Sequence, residues 1–143
     1  MNILNILTGK RIIGNIGESY AAKFLKKQGY KILERNFVAS GHEIDIIAKK
    51  GEYLCFVEVK TRTVGKENPL EPRPASAVTP EKQRDIISAA KMYFSYENKE
   101  KKKRFDVIEV YLEDNKKMRN IIHMENAFRA DSTPTHRAKG TNR

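Results

Sequence analysis

At 143 residues, 39% of them hydrophobic, the chain has material for one globular domain but not for two. Its 28 lysines and arginines against 18 acids leave a net charge of +10, which favours a polyanionic partner, nucleic acid before an anionic membrane. A single cysteine, Cys55, excludes an intrachain disulfide, and the lack of an apolar run of about 18 residues excludes a membrane-spanning helix.

The chain opens MNILNILTGKRIIG, with its charges after the apolar run and no small-residue cleavage site. A signal peptide has the reverse order, so the expected location is the cytoplasm. Residues 1–13 read as an N-terminal extension, a short helix that packs on the domain or meets a partner. One domain is expected over 14–129. It starts with a helix over 14–28, where Ala21, Phe24 and Leu25 recur at helical spacing and Gly29 supplies the stop. Tyr30–Val38 is strand-like and ends in a turn signal.

EIDIIA and YLCFVEVKT, joined by Lys-Lys-Gly-Glu, read as a hairpin. Strand alternation puts Ile44, Ile46 and Ala48 on one face and Glu43, Asp45 and Ile47 on the other. In the second strand it groups Leu54, Phe56, Glu58 and Lys60. Cys55 is expected to be a buried, inert thiol. Residues 63–76, with Pro69, Pro72, Pro74 and Gly65, read as a long mobile loop. Thr79-Pro80-Glu81 then opens a helix over 80–96, with Thr79 as cap. RFDVIEVYL follows as a strand. It is expected parallel to Val57–Lys60, because strand, helix and strand make a crossover unit. Ile121–Met124 is a short final strand, and 130–143 a basic disordered tail.

Carboxylates are costly in strands that read as central sheet, yet Asp45 sits among Ile44, Ile46 and Ile47, and Glu58 between Val57 and Val59. Lys60 shares Glu58's face. With Lys50-Gly51 as the turn, Asp45 is diagonal to Glu58; with the turn one residue later, the two are directly opposed. A bulge would break either relation. A divalent cation, Mg²⁺ or Mn²⁺, would compensate such a pair, with Lys60 in reach. The alternative is a surface pair of Glu58 and Lys60 with Asp45 as a turn charge. His42, His123 and His136 lack zinc-ligand spacing, and there is no phosphate-binding glycine loop. Asp106, in RFDVI, reads as a structural rather than catalytic acid that pairs with Arg104 or caps a nearby group. Glu18 lies on a helix face with Ala21, Ala22 and Leu25.

Gly14-x-x-Gly17-Glu18, Gly29-Tyr30, Arg35-Asn36, EIDIIA, FVEVKTR at Phe56–Arg62, AVTPEKQR at Ala77–Arg84, RFDV at Arg104–Val107 and NAF at Asn126–Phe128 occur in this order. Over residues 14–128 the chain resembles the bacterial YraN-like family, placed among the restriction-endonuclease-like, or PD-(D/E)xK, nucleases. The resemblance implies an α/β nuclease-like domain with a restriction-endonuclease-like core, a mixed β-sheet flanked by helices. It implies that Asp45 is the motif aspartate, Glu58-Val59-Lys60 the (D/E)xK triplet and Glu18 the first-helix glutamate. Lys82 or Gln83 then approaches the site from the following helix. One departure is His42, where the family usually has glycine.

On this reading Asp45, Glu58 and the Val59 backbone carbonyl hold Mg²⁺ or Mn²⁺, Glu18 acts through water or a second ion, and Lys60 positions the attacking water. Lys10, Arg11, Arg62, Lys66, Arg84, Arg137 and Lys139 are candidate phosphate contacts. The expected activity is metal-dependent hydrolysis of DNA phosphodiester bonds, structure-selective or nonspecific, in repair or recombination. A homodimer or a DNA-repair protein is a further candidate partner. The alternatives are a nucleic-acid-binding module without turnover and a protein-interaction subunit.

Overall fold

The computed structural model describes residues 3–64, 78–96 and 101–130, with side chains from residues 9–64, 78–94 and 101–130. The elements follow in the order α1 (Ile3–Lys27), β1 (Lys31–Ala39), β2 (His42–Lys50), β3 (Tyr53–Thr63), α2 (Pro80–Tyr96), β4 (Lys102–Leu112) and β5 (Met118–Phe128). The five strands form one mixed sheet in sequence order. Only β3 and β4 are parallel, joined by the connection that contains α2; the other neighbours are antiparallel.

The ends of α1 and α2 follow from local chemistry. Gly29 adopts a φ of 94°, and the Tyr30 and Gly29 amides donate to Leu25 O and Lys26 O at 3.0 Å each. This is the paired capping pattern in which a left-handed glycine lets the chain satisfy the last carbonyls. Leu25 and Tyr30 both enter the core beneath it. Thr79 Oγ1 accepts from the Lys82 amide at 3.1 Å, so the expected cap at α2 is present. Ser40 and Gly41, with φ of 56° and 76°, make the tight β1–β2 turn.

Two cores lie on the two faces of the sheet. Ala21, Ala22 and Leu25 of α1 pack on Ile46, Ala48, Cys55, Val57, Ile108, Val110 and Leu112. Ile86, Ile87, Ala89 and Ala90 of α2 pack with Ile44, Ile47, Leu54, Phe56, Phe105 and Val107 on the other face. The result is an α/β domain with a five-stranded mixed sheet flanked by two helices, consistent with a restriction-endonuclease-like core. Among the described residues no helix is long and apolar enough to cross a membrane.

Three expectations differ from the structure. First, α1 begins at Ile3 and runs unbroken through Gly14, because Ile13 and Ile16 continue its packing on the core. Second, β5 spans eleven residues where only Ile121–Met124 was expected. Phe128 anchors its end on Phe105, with ring centroids 5.2 Å apart. A register shift at Phe105/Val107, where Asn126 has a φ of 54°, lets the Asn126 amide donate to Asp106 Oδ1 at 2.9 Å. Third, Ile44 does not share a face with Ile46: it packs with Ile47 on the α2 side, so alternation breaks around Asp45. The expected mobile loop, 63–76, and the tail, 130–143, fall almost wholly outside the described residues.

Candidate active site

The β2–β3 ladder runs from Lys50↔Tyr53 to Ile46↔Val57, which fixes Gly51-Glu52 as the turn, the later of the two registers. Asp45 and Glu58 stand one step beyond its last pair. There β2 stays paired with β1, as far as Ala39↔His42, while β3 stays paired with β4, as far as Thr63↔Leu112. The sheet therefore forks at Asp45. Instead of a β2 carbonyl, the Asp45 carboxylate meets the Val59 amide, with Oδ2 accepting at 2.8 Å. A strand residue's N–H and C=O point to the same side, so the Val59 carbonyl also faces the fork.

Into this fork α1 brings the Glu18 side chain. An open cleft of about 490 Å³ is lined by Glu18, Asp45, Glu58, Val59 and Lys60, with Lys10, Ile13, Gly14, Thr61 and Thr63 around them. α1 can approach closely because residue 17 is glycine: an added Cβ would fall 2.8 Å from Thr61 Cγ2 and closer still to its Oγ1. Glu18 Oε1 accepts from Asn36 Nδ2 at 2.8 Å and lies 3.8 Å from Arg35. Asn36, opposite Asp45 in β1, reaches it from a left-handed conformation with φ of 54°. Lys60 Nζ is 3.8 Å from Glu58 Oε2. Glu58 itself is 6% exposed, and its Oε1 is buried with no hydrogen-bond partner.

The acids perturb one another. Burial, then the charge of Asp45, pushes Glu58 up to about 7. Burial, then Asp45, also pushes Glu18 up to about 7, against the pull of Arg35. Asp45 is raised by burial, and the Val59 amide and the charge on Lys82 partly offset this. Three carboxyl groups that resist ionising together are a site short of positive charge. Among the described residues, no group of three or more His, Cys, Asp or Glu forms a ready-made metal cage. The oxygens that could hold a hard cation here are those of Asp45 and Glu58 with the Val59 carbonyl, completed by water.

Lys82, in the first turn of α2, acts on both Asp45 and Glu58 through its charge. Gln83 is turned to its own helix start, where Nε2 donates to Val78 O at 2.8 Å. Of the candidate phosphate contacts, Lys10 lines the cleft, whereas Arg62 lies 3.4 Å from the fully buried Glu109. Arg11 and Arg84 are exposed and do not line the cleft, and Lys66, Arg137 and Lys139 lie outside the described residues. His42 is 3.6 Å from Asp85 of α2. Sequence reasoning did not select Asn36, Thr61 or Thr63. The available signal for Asn36 was an asparagine inside a strand, a residue type that tolerates positive φ.

Asp106 belongs to a separate network. Its carboxylate takes Arg104 Nε and NH2 at 2.9 and 2.8 Å, the Asn126 amide at 2.9 Å, and His123 Nε2 at 2.8 Å. Burial would raise its pKa, but these bonds outweigh burial and hold it below the usual carboxylate range. Arg104 also donates to the Tyr30 hydroxyl. The network ties β4 to β5 and to the end of α1, which is the structural role expected of Asp106. Cys55 is buried and its thiol is pushed up to about 12 by burial, so it is inert.

Comparison with known proteins agrees with the resemblance to the YraN-like family. Residues 17–110, which include Glu18, Asp45, Glu58 and Lys60, match the model of the family described as uncharacterised protein family UPF0102. The UPF0102 protein of Caldicellulosiruptor saccharolyticus is 46% identical over 121 residues, covering 83% of this chain and 98% of that protein. That of Chlorobium phaeobacteroides strain BS1 is 47% identical over 122 residues, covering 81% and 93%. That of Geobacter metallireducens is 44% identical over 117 residues, covering 81% and 91%. With most of both chains aligned at this identity, the chain belongs to the UPF0102, or YraN, family.

Proposed function

We propose that the protein is a Mg²⁺- or Mn²⁺-dependent endonuclease of the restriction-endonuclease-like class, hydrolysing DNA phosphodiester bonds in the cytoplasm. The observation that carries this reading is the convergence of Glu18, Asp45, Glu58 and Lys60 on one cleft, where Glu58 Oε1 is buried without a hydrogen-bond partner and the Asp45 and Glu58 carboxyls hinder each other's ionisation. An unpartnered buried carboxylate oxygen is expensive unless something arrives to meet it. A divalent cation bound there would polarise the scissile phosphate and acidify a water.

The protein's own groups divide the remaining work. Asp45 and Glu58 would hold the cation, with the Val59 carbonyl. The Val59 amide fixes the orientation of Asp45, leaving its other oxygen for the cleft. Glu18, held by Asn36, adds a carboxylate from the helix side. Lys60 positions the attacking water and stabilises charge on the phosphate. Lys82 supplies a second cation from the start of α2. The charge of +10 gives backbone affinity without base choice, which favours structure-selective or nonspecific cleavage and a role in repair or recombination.

The test is cleavage of linear, flap and four-way-junction DNA with Mg²⁺ or Mn²⁺ by the wild type, Asp45→Ala and Glu58→Ala. Cutting by the wild type alone supports the proposal. Cutting that survives in both variants assigns the activity to another site or a contaminant. One observation favours a second reading, a nucleic-acid-binding module without turnover: among the described residues no three-ligand metal cage is preformed. DNA binding without cutting by a folded wild type would select it.

A further inference from the structure

We infer that the Lys10–Gly14–Glu18 face of α1 is the bed on which one phosphodiester strand lies as it leaves the acidic cleft, with Gly14 as the residue that makes room for it. This rests on the nuclease or nucleic-acid-binding reading of the cleft and adds the path of the backbone.

The three residues are spaced at i, i+4 and i+8, so they form one stripe along the helix. All three line the cleft, with Thr61 and Thr63 of β3 also on its wall. Glycine inside a helix costs about 1 kcal/mol against alanine. Gly17 has an internal reason, its contact with Thr61. Gly14 has none: a Cβ there would meet nothing within 4 Å, and its φ is not in the left-handed region. Bare helix backbone therefore faces open space one turn from Glu18. Gly9 is equally open but does not line the cleft.

A stripe with one small residue does not by itself specify a ligand. The independent observation is the Glu58 side chain, more than nine-tenths buried, whose Oε1 has no partner and which lines the same cleft. It marks where the ligand's cation-bound end is received. Lys10, eight residues from Glu18, stands about 12 Å further along the helix axis. Phosphates recur regularly along a nucleic-acid strand, so Lys10 meets one a few nucleotides from the scissile phosphate. A flat apolar ligand would need neither this cation nor this length, whereas a backbone of regularly spaced anions needs both.

The experiment compares the full-length wild type with Gly14→Leu, Gly14→Ala, Gly9→Leu and Lys10→Gln. Anisotropy of a fluorescein-labelled 20-base-pair DNA duplex without divalent ions gives Kd. Cleavage with Mg²⁺ gives KM and kcat, and circular dichroism melting checks folding. Gly14→Leu is expected to weaken binding about tenfold or more while melting at or above the wild-type temperature. The loss should appear in Kd and KM rather than in kcat. Gly14→Ala should have a smaller effect and Gly9→Leu none. Lys10→Gln should reduce the salt slope by about one unit. Unchanged binding by Gly14→Leu, or an equal loss in Gly9→Leu, overturns the inference and leaves the function standing. If Gly14→Leu does not fold, an unchanged salt slope in Lys10→Gln overturns it instead. A wild type that binds no duplex removes the nucleic-acid reading itself, and this path with it.

Discussion

Asp45 Oδ2 accepts the Val59 amide at 2.8 Å, across the point where β2 and β3 part. One carboxylate oxygen thus closes the end of the ladder while the group as a whole belongs to the cleft. Asp45→Asn keeps an acceptor for that amide, whereas Asp45→Ala leaves it unpaired, at a cost of about 1–3 kcal/mol. Both should abolish cleavage and weaken Mg²⁺ binding. Urea midpoints should separate them, Asn staying near the wild type and Ala falling below it. An active Asp45→Asn variant would remove Asp45 from the catalytic set.

The raised acids make a pH prediction. Glu58 is held at about 7 against an ordinary 4.5, so the folded state keeps its proton longer than the unfolded chain does. Stability from this group is full below about 4.5 and is lost as pH rises towards 7, with Glu18 acting in the same direction. Metal-free protein should lose stability across that window, Glu58→Gln should flatten the loss, and Mg²⁺ affinity should rise with pH through 7. Urea unfolding at pH 5, 6, 7 and 8 with and without Mg²⁺ measures all three. An identical pH profile for the wild type and Glu58→Gln would contradict the assignment.

Lys60 lies beside Glu58 but carries no ligand oxygen, so it should act on the chemical step. Lys60→Ala should retain most Mg²⁺ affinity and lose about 10²-fold or more in single-turnover rate. A loss confined to KM would make Lys60 a binding residue instead.

Gly17 lets α1 sit against Thr61. Gly17→Ala places a methyl group inside that contact and should destabilise by about 1–3 kcal/mol. It should also move Glu18 from the cleft and lower metal affinity. Thr61→Gly should recover part of both losses in the double variant. Thermal melting and Mn²⁺ titration of the four proteins provide the cycle, and strict additivity would deny the contact.

Asp106→Ala leaves Arg104, whose side chain is 12% exposed, with only the Tyr30 hydroxyl and the exposed Glu125 as partners. Removing one partner of a buried pair costs about 3–5 kcal/mol. The variant should melt at a much lower temperature, yet bind Mg²⁺ and DNA as the wild type does wherever it remains folded. Loss of Mg²⁺ binding below the melting transition would tie this network to the cleft.

The local code of this chain lies in the sequence. Gly29 ends α1, Thr79 and Pro80 begin α2, and continuous β-rich apolar runs define β3 and β4, because caps, turns and strand-forming runs act between near neighbours. Two carboxylates and a lysine inside a strand hairpin likewise announced themselves, since charge in such a setting demands compensation. What only the tertiary structure decided was how these pieces meet. Alternation assigned Ile44 to the face of Ile46, but the fork at Asp45 sent it to the α2 core. The eleven-residue span of β5 depends on Phe128 reaching Phe105 and on Asp106 receiving the Asn126 amide. Asn36 holds Glu18 from eighteen residues away, and Gly17 is required by Thr61, forty-four positions on. Such long-range contacts leave no period or spacing in the chain. They are set when one helix packs on each face of the sheet, and the packing of α1 beside the fork placed Glu18 with Asp45, Glu58 and Lys60 around a single cleft.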